Sequence, residues 1–197
     1  MDSSMKIYIA FRGKEPTWVN DTLVSLGTWS YWVHTEIVVK TPDQCRAFSA
    51  YQIDPPSFIE RPNGNTFFDR KRWLFVPIPI DGTKSAAIYQ VLHDMTGANL
   101  RYATGYECII PESIVDRMQP DIDYSKPPSQ WPTTGIFCSQ AAFLFLKQLH
   151  HRGCLKCDFT DFMSRNSYHC SPAELYDILV GSLGQQPIRG RVLFSSL

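Results

Sequence analysis

The sequence predicts an α+β fold, and three observations predict it. Short apolar or alternating runs at Lys6–Phe11, Trp32–Lys40, Cys45–Tyr51 and Trp73–Ile80 crowd the first 80 residues. The clearest helical patterns come later in the chain. No internal repeat is visible, and 197 residues suffice for one domain with its own core, so one domain is expected over 1–197.

Lys6 to Phe11 alternates and ends at Arg12-Gly13, which gives a first strand. Between Glu15 and Gly27, the loose spacing of Trp18, Val19, Leu23 and Leu26 predicts a short helix. Trp32–Lys40 holds Val33, Ile37, Val38 and Val39 and stops at Thr41-Pro42-Asp43, so it pairs most simply with Cys45–Tyr51 as a hairpin. Loop signals at Pro55-Pro56 and Pro62-Asn63-Gly64 bracket a short segment with Phe58 and Ile59. Pro77 and Pro79 place the strand beginning at Trp73 at a sheet edge, or end it early.

Asp81-Gly82-Thr83 caps a helix whose stripe is Ile88, Val91, Leu92 and Met95, and Gly97 stops it. A short helix is expected after Pro111. Gln119 to Pro132 carries four prolines and is read as a functional or mobile loop. Two threonines, Thr133 and Thr134, then offer a cap to an almost wholly apolar helix that opens on Cys138 and runs to about His151, closed by Gly153. Cys154 to Cys170 reads as irregular. Ser171-Pro172-Ala173-Glu174 is a capping box with Pro at N1; Leu175, Ile178 and Leu179 form its apolar face and Gly181 its end.

Composition excludes several functions. Nineteen basic and nineteen acidic residues cancel, leaving no electrostatic footprint for nucleic acid and no polybasic membrane anchor. The longest apolar run, Ala141–Leu146, is too short to span a bilayer, and no Gly-rich phosphate loop is present. No charged n-region followed by an apolar stretch opens the chain, so an intracellular, cytoplasmic protein with mostly reduced cysteines is expected.

Cys138 is the residue that packing does not require. An open helix N-terminus favours a thiolate, because unpaired amides and the helix dipole stabilise negative charge there. A thiol with an ordinary pKa of about 8.5 still needs a base. His34 and Glu36 lie two apart in a predicted strand, so they share a face opposite Thr35, Ile37 and Val39. A base and an orienting carboxylate then stand together if the Cys138 helix packs its N-terminus over that strand. The simpler alternative is an exposed His/Glu pair and an inert core cysteine.

His-x-Glu in an early strand, Phe137-Cys138-Ser139 opening an apolar helix, and Ser171-Pro172-Ala173-Glu174-Leu175-Tyr176 resemble the circularly permuted NlpC/P60 papain-like proteins. That group includes YaeF/YiiX-type bacterial proteins, short viral relatives of the poxvirus type and the lecithin-retinol acyltransferase branch. The resemblance spans residues 30 to 180 and implies an antiparallel sheet packed on the cysteine-bearing helix. It implies Cys138 as nucleophile, His34 as base and then acid, and Glu36 as the residue that orients the imidazole. Ser49 or Tyr51 on the next strand could take the third role instead. The Cys138 amide would be one oxyanion donor. Relatives commonly carry Glu after Cys-Ser; Gln140 departs from that pattern. The implied reaction is thiol hydrolysis or acyl transfer on a peptide, amide or lipid ester, with no cofactor and no metal.

Two further clusters compete. Cys154-x-x-Cys157 with His150, His151, His169 and Cys170 has half the spacing of a structural zinc site, but His169 and Cys170 are adjacent and make a poor second half. Reduced thiols at a helix end are the expectation, and a redox Cys-x-x-Cys would open a helix, whereas this one follows one. Asp121-Ile122-Asp123 is read as a solvated loop and not a metal motif. Trp29, Tyr31, Trp32, Phe48, Trp73 and Phe75 surround the His34 hairpin, as core or as an apolar groove. A non-catalytic binding module and a zinc-stabilised structural domain are the alternative functions.

Overall fold

The computed structural model of the chain describes residues 5–14, 31–51, 57–61, 68, 72–98, 100–102, 121–131 and 135–189. The helices expected within 15–27 and after Pro111 lie outside these residues, as do Trp29, Cys108 and the two threonines at 133–134. Strands β1 (Lys6–Gly13), β2 (Trp32–Lys40), β3 (Cys45–Tyr51), β4 (Ser57–Arg61), β5 (Trp73–Ile78) and β6 (Ile188–Arg189) form one six-stranded sheet in the order β4-β3-β2-β1-β5-β6. Every pairing is antiparallel. The fold is therefore α+β, as composition and order predict. The β2–β3 hairpin and the short strand carrying Phe58 and Ile59 form as expected.

Alternation sorts the sheet residues between two faces. Ile7, Ile9, Phe11, Ile37, Val39 and Phe48 enter the main core beneath the helices. Tyr8, Ala10, Val38, Ala47 and Phe75 enter a smaller cluster on the other face, covered by Phe68. Pro77, the proline within β5, is explained by the strand's neighbours, and the strand ends before Pro79. Strand β6 pairs only with Leu74 and Phe75. Pro77 pairs with β1 alone, where its missing N–H costs no outer bond.

Helix α1 (Ser85–Gly97) follows a 3-10 turn at Gly82–Lys84 that Asp81 caps through the Thr83 amide, and it buries Ile88, Val91, Leu92 and Met95. Helix α2 (Cys138–His151) packs across β2 and β3 and is buried from Cys138 to Leu149. Its N-cap is Phe137. Gly153 ends it at φ +61, and Lys84 donates to the Gly153 carbonyl at 2.8 Å. Helices α3 (Thr160–Met163) and α4 (Pro172–Asp177) follow; α4 carries the expected capping box between Ser171 and Glu174. Gly181 does not close that element. The chain widens into a π-helical turn over Ile178–Ser182, and the positive φ falls at Gly184. No helix among the described residues is long and apolar enough to cross a membrane.

The Pro-rich segment departs from the solvated loop expected at Asp121-Ile122-Asp123. Ile122 is buried, and Asp121 Oδ2 accepts a 2.8 Å bond from Lys147 Nζ. Asp121 Oδ1 accepts from the Ser167 amide at 2.8 Å. Lys147 is fully buried in α2, over the rings of Tyr124 and Phe143, and also donates to the Arg165 carbonyl. Gln148 Nε2 donates to the Tyr124 and Lys126 carbonyls. Only Asp123 behaves as expected, exposed and bonded within its own turn.

Burying Phe143, Leu144, Phe145 and Leu146 stabilises the fold by about 2 kcal/mol each, enough to offset taking one lysine out of water. Removing the partner of that lysine strands its charge. Asp121→Ala is expected to lower the unfolding free energy measured in urea by about 3 kcal/mol. A loss below about 1 kcal/mol would contradict the pairing.

Candidate active site

A register shift lies beside His34. Strand β1 pairs Arg12 with His34 and then Gly13 with Trp32, which leaves Val33 as the extra residue of a β-bulge. The bulge turns Trp32 toward the helices, where its ring lies 6.0 Å from Phe11 and 5.0 Å from Tyr176. His34 and Glu36 keep to the opposite face. Gly13 stands opposite the bulge, and the exposed Tyr31 ring lies over the space where a Cβ would project.

Cys138 lies on the helix side of the sheet and His34 on the other, yet the two groups meet. The β2–β3 ladder ends at Ile37 and Phe48, so the strands fork beyond that point. In an antiparallel strand, the N–H and C=O of one residue point the same way. The Thr35 carbonyl accepts from Ser49 Oγ at 2.7 Å, and the Thr35 amide faces the Cys138 sulfur instead of a β3 carbonyl. The sulfur occupies the fork, where no strand separates it from the His34 ring.

The electrostatics follow from that placement. Burial pushes the Cys138 thiol up. The His34 charge and hydrogen bond, with the Thr35 and Ser139 amides, outweigh burial and bring it below the ordinary thiol range. His34 Nε2 lies 3.2 Å from Glu36 Oε1, which leaves Nδ1 as the ring nitrogen for the thiol. Glu36 is buried and its Oε1 also pairs with Arg61. Among the described residues, Glu36 Oε2 has no hydrogen-bond partner. Arg61 Nε donates to Tyr51 Oη at 3.1 Å, and its guanidinium lies 5.1 Å from the Phe68 ring and 5.8 Å from that of Trp73. Burial pushes Arg61 down to about 10, and the neighbouring Arg12 adds to this.

The structure thus brings together Cys138, His34 and Glu36. Ser49 is spent on the Thr35 carbonyl. Tyr51 stands beside the ring, 5.4 Å between centroids, and takes the Arg61 bond; burial and the Cys138 thiolate push its phenol up. Gln140 needs no charge: its Oε1 accepts from the Phe137 amide at 3.3 Å and its Nε2 donates to Ser167 Oγ at 3.3 Å, which fixes the turn that presents Cys138. Arg61 has no local signature in sequence. It joins the site because β4 places it opposite Ala47, one strand away from Glu36's own.

The other cysteines among the described residues stand apart from this chemistry. Burial raises Cys45 to about 11 and pushes Cys154, Cys157 and Cys170 up as well. Among the described residues, no three His, Cys, Asp or Glu side chains gather around a point that could hold a metal; the His169 side chain lies outside them.

Comparison with protein-family models, with curated proteins and with solved structures found no match.

A thiol below its ordinary range is ionised at lower pH than its neighbours. At neutral pH, iodoacetamide is therefore expected to alkylate Cys138 ahead of Cys45, Cys154, Cys157 and Cys170, as read by peptide mass spectrometry. His34→Ala should remove that preference. Uniform labelling of the native protein would contradict the electrostatics described.

Proposed function

We propose that the chain is a cysteine-dependent hydrolase or acyltransferase that cleaves an amide or ester bond, on a permuted NlpC/P60-like papain-type fold. One observation carries the reading. A thiol at a buried helix N-terminus has His34 as its charge partner, and His34 is held on its far nitrogen by a buried carboxylate. The reversed order, histidine strand before cysteine helix, supports the permuted arrangement.

The chemistry is that of nucleophilic catalysis with a positioned base. Cys138 passes its proton to His34 Nδ1, and the thiolate attacks the carbonyl carbon. A C–S bond forms and the carbonyl electrons move to oxygen, toward the Cys138 backbone amide at the helix N-terminus. Collapse expels the amine or alcohol, which takes the proton from His34, and leaves a thioester. Water or another acceptor, deprotonated by His34, then attacks the thioester; the acyl group leaves and Cys138 recovers its proton. Glu36 accepts from His34 Nε2, fixing the tautomer and stabilising the imidazolium.

A binding module on the same fold is the second reading. The observation in its favour is that Cys138 is only 6% exposed, with the Tyr51 ring beside its partner.

Activated esters such as p-nitrophenyl acetate separate the two. The native chain is expected to show a burst of one equivalent and an acyl adduct on the Cys138 peptide. Cys138→Ala should lose at least ~1,000-fold in turnover, and His34→Ala nearly as much, because the two act as a unit. Full turnover in Cys138→Ala would sink the hydrolase reading.

A further inference from the structure

We propose that Arg61 is a positioning residue for the Cys138–His34 pair: by keeping the buried Glu36 ionised, it fixes the His34 tautomer and sets the pH window in which the Cys138 thiolate exists. The proposal rests on the reading of Cys138 and His34 as a working pair.

Glu36 is 1% exposed and sits in the sheet with one oxygen shared and the other unpartnered among the described residues. A carboxylate in that position without a cation takes up a proton, since burial penalises its charge. Arg61 supplies the cation on the same oxygen that binds His34 Nε2. An ionised carboxylate only accepts hydrogen bonds. His34 must then carry its proton on Nε2, and the lone pair on Nδ1 is left for the thiol. A protonated Glu36 could donate to Nε2, put the wrong nitrogen to work and withdraw the charge that supports the imidazolium.

The surroundings of Arg61 hold its guanidinium beside Glu36. It stands opposite Ala47, whose single methyl leaves the path from β4 across β3 to Glu36 open. Tyr51 Oη accepts from Nε, and the rings of Phe68 and Trp73 flank the guanidinium face at 5.1 and 5.8 Å. Planar guanidinium suits such a slot better than ammonium. The pair is also faced by Arg12 from β1, cross-strand from His34, and by Tyr51 from β3. Trp73 from β5 is uncharged, and α4 brings Tyr176 against the neighbouring Trp32. Losing the Arg61 charge acts in one direction. If Glu36 then protonates, the imidazolium loses its support; if it stays ionised, the thiolate loses a nearby cation. Either way the thiolate forms at higher pH.

The test is the rate of iodoacetamide alkylation at Cys138 against pH, read on its peptide by mass spectrometry and needing no substrate. In Arg61→Gln, the midpoint is expected to move about one pH unit alkaline. In a Glu36→Gln background the same substitution should move it by less than about a third of that, because the effect travels through the carboxylate. Equal shifts in both backgrounds would reduce Arg61 to a distant charge and overturn the proposal. Arg61→Lys keeps the cation should Arg61→Gln fail to fold, and is expected to move the midpoint by no more than about half a unit, because the charge stays while the planar fork is lost; a full one-unit shift in the lysine variant overturns the proposal. A native midpoint equal to that of a free thiol overturns the Cys138–His34 reading itself. A low native midpoint that Arg61→Gln leaves in place overturns the role of Arg61 alone.

Discussion

Helix α2 is buried from Cys138 to Leu149, so every polar atom along it must be satisfied inside the protein. The sheet supplies one wall, and α1, α4 and the segment 121–131 supply others. Lys147 and Gln148 turn that requirement into ties: they bind Asp121 and the carbonyls of Tyr124 and Lys126. Gln140 does the same at the other end through Phe137 and Ser167. A helix fixed along its whole length presents its first residue at a fixed place. That residue is Cys138.

The site exists because the sheet is imperfect at one corner. A regular β2–β3 ladder would bond the Thr35 amide to a backbone carbonyl and seal the sheet between its two faces. The fork leaves that amide for the sulfur and lets a group on the helix side reach a ring on the other side. The bulge beside Gly13 sends Trp32 to the core while its near neighbour His34 stays on the opposite face. Both irregularities fall within five residues of each other on β2. Bulges recur next to functional sites for this reason: they aim side chains that alternation alone cannot aim.

Much of this was legible before any coordinates. Alternation identified β1, β2 and β3, spacing identified the core stripe of α1, and the apolar helix with Cys138 in its first turn was legible, although its N-cap is Phe137 and not one of the two threonines. The His34–Glu36 side of the site was legible because two-residue periodicity is a local rule. What local rules do not reach was missed. Arg61 is one residue of a five-residue strand whose partner register depends on the whole sheet. Asp121 looked like a solvent residue because its lysine lies 26 positions away inside an apolar helix. The chain runs through Gly181 in a π-helical turn that buries Ile178 and Leu179, which no local stop signal predicts.

The site is a line of alternating charge: guanidinium, carboxylate, imidazole, thiol. Each member touches the next, from Arg61 on Glu36 to Glu36 on His34 and His34 on Cys138. The central claim is that this line ends in a thiol that ionises below the ordinary thiol range. The most direct measurement is the ultraviolet thiolate absorbance of the native protein minus that of Cys138→Ala, followed against pH. One thiolate equivalent with a midpoint below the ordinary thiol range of about 8.5 is the result the account requires. A difference absorbance that rises only above that range would contradict it.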